Sequence, residues 1–328
     1  MLKILVTKKY YNPGEIARVI PVKKDKIISI TLQFFKSVNP DLYNHVKSII
    51  FNQNKKIKLN IYDAQNITDF KQTDLEFKDM EKYNYEPLNN YKNNKDIIYI
   101  PLRRDSNISR SIKKDEGTLD DLFIIVHEIA HSFDINLEFG PNEERDKKIY
   151  KFGNILTETT AISFERMLAD YLVENNLFKK DDMEQILKRR LNNSSNKAIF
   201  VYAQLFLSRK KEENGEITKK DIQELIKEFD SNIQSIKKLG ISIINDAGKE
   251  MLSNSRYAIA GILSPTIEKI YKEKEFGKIQ GYLKESKNGN FKDAFYAIGI
   301  TLDDEGLNKL KENIENQRYE FESQLEER

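Results

Sequence analysis

The feature that most constrains this chain is His127-Glu128-Ile129-Ala130-His131, which closes the segment GTLDDLFIIVHEIAH running from Gly117. On a helix, positions i and i+4 share a face one turn apart, so both imidazoles can reach one metal ion. Glu128 is rotated by about 100° from His127 and points beside the ion rather than at it. A base that takes a proton from an activated water belongs in that position. Two imidazoles, a carboxylate from elsewhere and one coordination position left for water suit zinc. The whole chain has only 3 histidines, and this motif uses two of them with a glutamate between.

Composition narrows the chemistry. There is no cysteine, so disulfides, thiolate catalysis and Cys-ligated zinc are excluded, and a zinc site must use His and carboxylate. The formal charge is only +2 at 32% charged residues, which leaves no footprint for nucleic acid or an anionic membrane. The N-terminal MLKILVTKKYYNPGE lacks the apolar run of a signal peptide, and no stretch reaches the roughly 18 apolar residues of a membrane span. The expectation is a soluble, cytoplasmic protein with no nucleic-acid or membrane partner, leaderless export staying compatible. Its 328 residues are enough for one large domain or two ordinary ones.

Residues 1–105 read as a small mixed α/β part. Ile28, Ile30 and Leu32 alternate with polar residues, as do Ile57, Leu59 and Ile61, which predicts half-buried strands. Asn39-Pro40 reads as an N-cap with Pro at the first helical position, and the helix it opens carries Leu42, Val46, Ile49 and Ile50 on one side. His45 falls on that side and reads as a packed histidine. Residues 65–95 are polar and read as loop with one short helix. Asp96 to Leu102 is a compact apolar run with strand character, and Pro101 restricts it to a strand end or an edge. Ile98, Tyr99 and Ile100 on such an edge could align an extended peptide by backbone hydrogen bonds, or be an edge and nothing more.

Residues 106–328 read as mainly helical. The charged stretch 103–116 is a linker, and Thr118 is the expected N-cap of the metal-motif helix. Phe123, Ile124, Ile125, Val126, Ile129, Ala130 and Phe133 cover most of that helix's circumference, which predicts burial on nearly all sides. After a loop at 139–146 a second helix runs from about Asn154 to Asn175. Glu158 follows His131 by enough chain for a return helix, and it is the expected third metal ligand. Glu165, seven residues on and near the same face, is the candidate acceptor for a histidine N–H, and Asp120 is another. On spacing alone a solvated acidic face is the simpler reading for Glu165 and Asp120. From 178 onward the chain reads as helices, with a turn at Arg209–Gly215, a helix near 218–229, a small-residue segment bearing Tyr257, and a closing helix at about Asp303–Glu327.

Together these segments resemble the thimet oligopeptidase and oligoendopeptidase F family of zinc metallopeptidases, the latter branch most. GTLDDLFIIVHEIAHSFD is similar to that family's lead-in and HExxH helix. Glu158 to Leu172 resembles its second motif, and Arg256-Tyr-Ala-Ile-Ala-Gly261 its Tyr-Ala-x-Gly segment. The likeness covers roughly residues 95–325. It implies a mainly α fold with a small β-sheet (α+β), a zincin of gluzincin type with the metal helix in a deep cleft. It further implies one Zn2+ on His127, His131 and Glu158, with Glu128 as base, Glu165 in support and Tyr257 as donor to the oxyanion. Ala130 replaces the family's usual Gly, no histidine follows His131, and Ser253 and Ser255 stand where neighbouring tyrosines are expected. The chain is also about half the family's length, which implies a more open cleft. The implied activity is hydrolysis of peptides or unfolded protein segments. The alternatives are a non-catalytic, zinc-stabilised peptide-binding protein and a narrow-specificity protein-cleaving toxin or effector.

Overall fold

The computed structural model of the chain describes residues 20–51, 53, 57–61, 98–102, 116–133, 154–228 and 249–326. Among them the protein is mainly helical. Strand β1 (Pro21–Lys23) leads into α1 (Lys24–Val38) and α2 (Pro40–Ile50), followed by β2 (Ile57–Ile61) and β3 (Ile98–Leu102). Strand β4 (Glu116–Thr118) opens directly into α3 (Leu119–His131). Then come α4 (Asn154–Glu174), α5 (Lys180–Asn214), α6 (Lys219–Glu228), α7 (Lys249–Lys272), α8 (Phe276–Lys287), α9 (Phe291–Ala297) and α10 (Asp304–Glu326). The expectations for 65–95, 103–115 and 139–146 lie outside the described residues.

The entry of α3, which carries the metal motif, is fixed from both sides. β4 pairs antiparallel with β1, Val22 opposite Gly117, and the Leu119 amide donates to the Ile20 carbonyl at 2.9 Å. A Cβ at Gly117 would lie 2.6 Å from Ile27 Cδ1, so a larger residue there would make the Ile27 side chain shift. Thr118 then caps the helix. Its hydroxyl accepts from the Asp121 amide, while the Asp121 carboxylate accepts from the Thr118 amide, a reciprocal pair that satisfies two otherwise orphaned donors. Asn39 caps α2 as its sequence predicts, accepting from the Asp41 amide at 2.6 Å.

One hydrophobic core joins α1 to α3, α4 and α7. Phe34 and Phe35 of α1 meet Phe164 of α4, and Phe35 also lies edge-on to Phe133 just beyond α3. Helices α4 and α7 pack most extensively, and Ala258 and Ala260 of α7 are buried. Tyr282 of α8 is buried against this pair and donates to the Leu156 carbonyl at 3.3 Å. Burial on this scale, at roughly 25 cal/mol per Å2 of apolar surface, is what holds α3 and α4 in fixed register.

Two expectations are corrected. The alternation Ile28, Ile30, Leu32 does not form a strand, because residues 24–38 are helix α1. Its buried positions are Ile27, Ile30, Thr31, Phe34, Phe35 and Val38, a stripe of helical period. The five-residue window fits both periods, and the longer stripe decides. Arg209–Glu213 is not part of a turn either. α5 runs on to Asn214 and stops at Gly215, whose φ of 80° provides the left-handed cap. Arg, Lys and Glu favour helix, and Arg209 pairs with Glu213 one turn later at 2.8 Å.

The strands at Ile57–Ile61 and Ile98–Leu102 do form. They pair in parallel, Ile57 opposite Ile98 and Asn60 opposite Pro101, and β3 packs on α3. Among the described residues β3 has a strand on one side only, so its other edge faces no ladder.

Candidate metal centre

Helices α3 and α4 cross so that His127, His131 and Glu158 bring one ligand atom each to within 4.8 Å of one another. His127 Nε2 stands 3.1 Å from His131 Nε2 and 3.7 Å from Glu158 Oε2. Ligands at about 2.0–2.1 Å from a tetrahedral ion are separated by roughly 3.3 Å, so these spacings match donors sharing one cation. Without an ion the arrangement is poor. Two imidazole nitrogens face each other, and Glu158 Oε2 is buried with no hydrogen-bond partner. The residues fit a divalent metal, and an orphaned carboxylate oxygen aimed at two nitrogens is the observation that says so.

The surroundings set the tautomers. His127 Nδ1 donates to Glu165 Oε1 at 2.7 Å, which leaves Nε2 free to offer a lone pair. The same Glu165 oxygen accepts from Arg190 Nη1 of α5. Burial opposes charge on Glu165, but the Arg190 guanidinium and the His127 contact outweigh it and hold the carboxyl below its usual range. Burial also disfavours charge on His127, yet the Glu165 carboxylate and its hydrogen bond, with Glu128 and Glu158 nearby, push the imidazole up to about 9. The site therefore favours positive charge at Nε2, which a proton or a metal ion can supply. His131 moves the other way, lowered by burial and by the neighbouring His127.

Glu128, on the turn between the two histidines, is half-buried, and its carboxylate acts on both imidazoles and on the Tyr257 phenol. Tyr257 of α7 lies at the centre. Its hydroxyl is raised above its ordinary value by burial and by Glu158, with which it hydrogen-bonds. Asp120 sits in the first turn of α3, half-buried, roughly 10 Å along the axis from His127. The His127 Nδ1 position it was a candidate for is filled by Glu165. Ile98, Tyr99 and Ile100 lie on β3 beside α3.

His45 is packed, as its sequence position predicts. Its Nε2 is 3.0 Å from Ser132 Oγ, whose proton goes to the Ile129 carbonyl at 2.6 Å, so His45 is the donor. Burial and Lys287 lower its pKa and favour the neutral ring. It tethers α2 to the end of α3 just past His131.

The sequence pattern gives no role to two residues of the centre. Arg190 sits in the run Lys188-Arg189-Arg190, indistinguishable from a solvated surface. Arg256 stands beside Tyr257, with its Nε 3.5 Å from Glu158 Oε1. Neither has a spacing signal, because both reach the site through packing of α5 and α7 on α4.

The chain matches no protein-family model, and comparison with curated proteins and with solved structures gives no match either. The functional reading therefore rests on the geometry.

Proposed function

We propose that this chain is a zinc-dependent metallopeptidase of zincin type, related to the oligoendopeptidase F branch, acting on peptides or unfolded protein segments. The observation that carries the reading is the convergence of His127, His131 and the otherwise unpartnered Glu158 oxygen, with Glu165 fixing the His127 tautomer. A divalent cation held by these three would supply Lewis-acid activation of water and of the scissile carbonyl. Glu128 accepts the proton of the attacking water and returns it to the leaving amine. Tyr257 sets its hydroxyl against Glu158, and the edge of β3 that carries no strand among the described residues offers backbone groups for an extended substrate.

The test is a mixed library of quenched peptides, incubated with and without chelator, with products read by mass spectrometry. Chelator-sensitive cleavage that zinc restores supports the reading. A zinc-loaded protein that cleaves nothing, but binds peptides tightly, supports a metal-stabilised binding protein instead. That second reading is favoured by the absence of any histidine after His131.

A further inference from the structure

Among the described residues of the centre, Arg256 carries a buried donor that meets no acceptor. It is 12% exposed, and its Nε is buried without a hydrogen-bond partner among the described residues. It pairs with Glu158 at 3.5 Å from Nε to Oε1, a contact too long to satisfy the N–H. The guanidinium rests on the Tyr257 ring with 5.1 Å from Cζ to the ring centroid, and its field reaches His131. A buried guanidinium is costly unless an anion meets it. Glu158 cannot be that anion in full, because its other oxygen faces the histidine nitrogens and its charge goes to the cation they share.

Charge counting gives the direction. A divalent cation and Arg256 together outweigh Glu158 and Glu128 by one positive charge, the histidines counting as neutral ligands. An arriving anion would neutralise that excess. We propose that Arg256 is the residue that receives the oxyanion at this centre; the inference rests on the metallopeptidase reading. When the water oxygen adds to the carbonyl carbon, the C=O π pair moves onto the carbonyl oxygen and the water proton passes to Glu128. The new negative charge then lies beside a guanidinium already held in place by Tyr257. Tyr257 itself spends its hydroxyl on Glu158, which leaves the Arg256 N–H as the unengaged donor.

The test uses the full chain loaded with cobalt(II), whose visible absorption reports ligand exchange, titrated with azide as the anion. Arg256→Met should keep cobalt within a few-fold of the parent and weaken azide binding by on the order of 10- to 100-fold, the range for hydrogen bonds to charged groups. Arg256→Lys should recover part of that loss, and Arg256→Gln serves if the methionine variant does not fold. Azide affinity unchanged in Arg256→Met or Arg256→Gln overturns the proposal and leaves the metallopeptidase reading standing. Loss of cobalt in these variants would make Arg256 a positioning residue for Glu158, and also overturns it. A parent protein that takes up no cobalt sinks both.

Discussion

Glu128 and Glu165 are both close to His127, but their surroundings differ. Glu165 is buried, bonded to His127 Nδ1 and to Arg190, and so is committed to orienting a ligand. Glu128 is half-buried and acts on both histidines, which suits the proposed role of base. Glu128→Gln is expected to keep the metal and lose turnover by about 10²–10⁴-fold, measured as metal content against peptide cleavage. Glu165→Ala should instead weaken metal affinity by about 10–100-fold in a chelator competition, because His127 loses its tautomer lock. Arg190→Met should act in the same direction and less strongly. If Glu128→Gln releases the metal while Glu165→Ala does not, the two roles are exchanged.

Helix α4 carries most of the consequences at the scale of elements. It presents Glu158 and Glu165 to α3 and Arg166 to α7, so each face is committed. Arg166 pairs with Glu268 in a buried contact, and Lys272 holds the other Glu268 oxygen at 2.9 Å. Arg166→Met should cost about 3 kcal/mol in urea unfolding, the low end for a broken buried pair because Lys272 stays on Glu268. A cost below ~1 kcal/mol would mean that the network is solvated. Much of this layout is legible in the sequence where the signal is local. Asn39-Pro40 and Thr118 announce helix starts through capping chemistry, and the i, i+4 and i, i+7 spacings put His127, His131, Glu158 and Glu165 on usable faces. Ile28–Leu32 misleads because five residues cannot separate a period of 2 from one of 3.6. Arg190 and Arg256 stay hidden because nothing in a charged run or a small-residue helix says which neighbour it will meet.

At the scale of the whole molecule, stability depends on pH through the α4–α7 seam. Burial and the adjacent Glu268 raise Asp170 to about 7 from 3.8, against the pull of Lys272 at 3.3 Å. A carboxyl raised in the fold is more protonated folded than unfolded, so it stabilises at low pH and that contribution fades as pH climbs from about 4 through about 7. Glu268 is displaced the opposite way; burial opposes its charge but Arg166 and Lys272 prevail, so its contribution is lost only on acidification below 4.5. His127, His45 and His131 also titrate differently in the fold across pH 5 to 8, so Asp170 is isolated by the difference between the parent and Asp170→Asn, which carry the same histidines. The parent should lose stability relative to Asp170→Asn as pH rises across that interval; a difference that does not change with pH would contradict the assignment. No helix among the described residues is long and apolar enough to cross a membrane.

The metal centre itself is tested most directly by X-ray absorption on the zinc-loaded protein, compared with Glu158→Ala. The spectrum should show one zinc per chain with two imidazole nitrogens and a carboxylate oxygen in its shell at about 2.0–2.2 Å, the carboxylate contribution disappearing in the variant. A protein that binds no zinc stoichiometrically, or a zinc shell unchanged by Glu158→Ala, would contradict it.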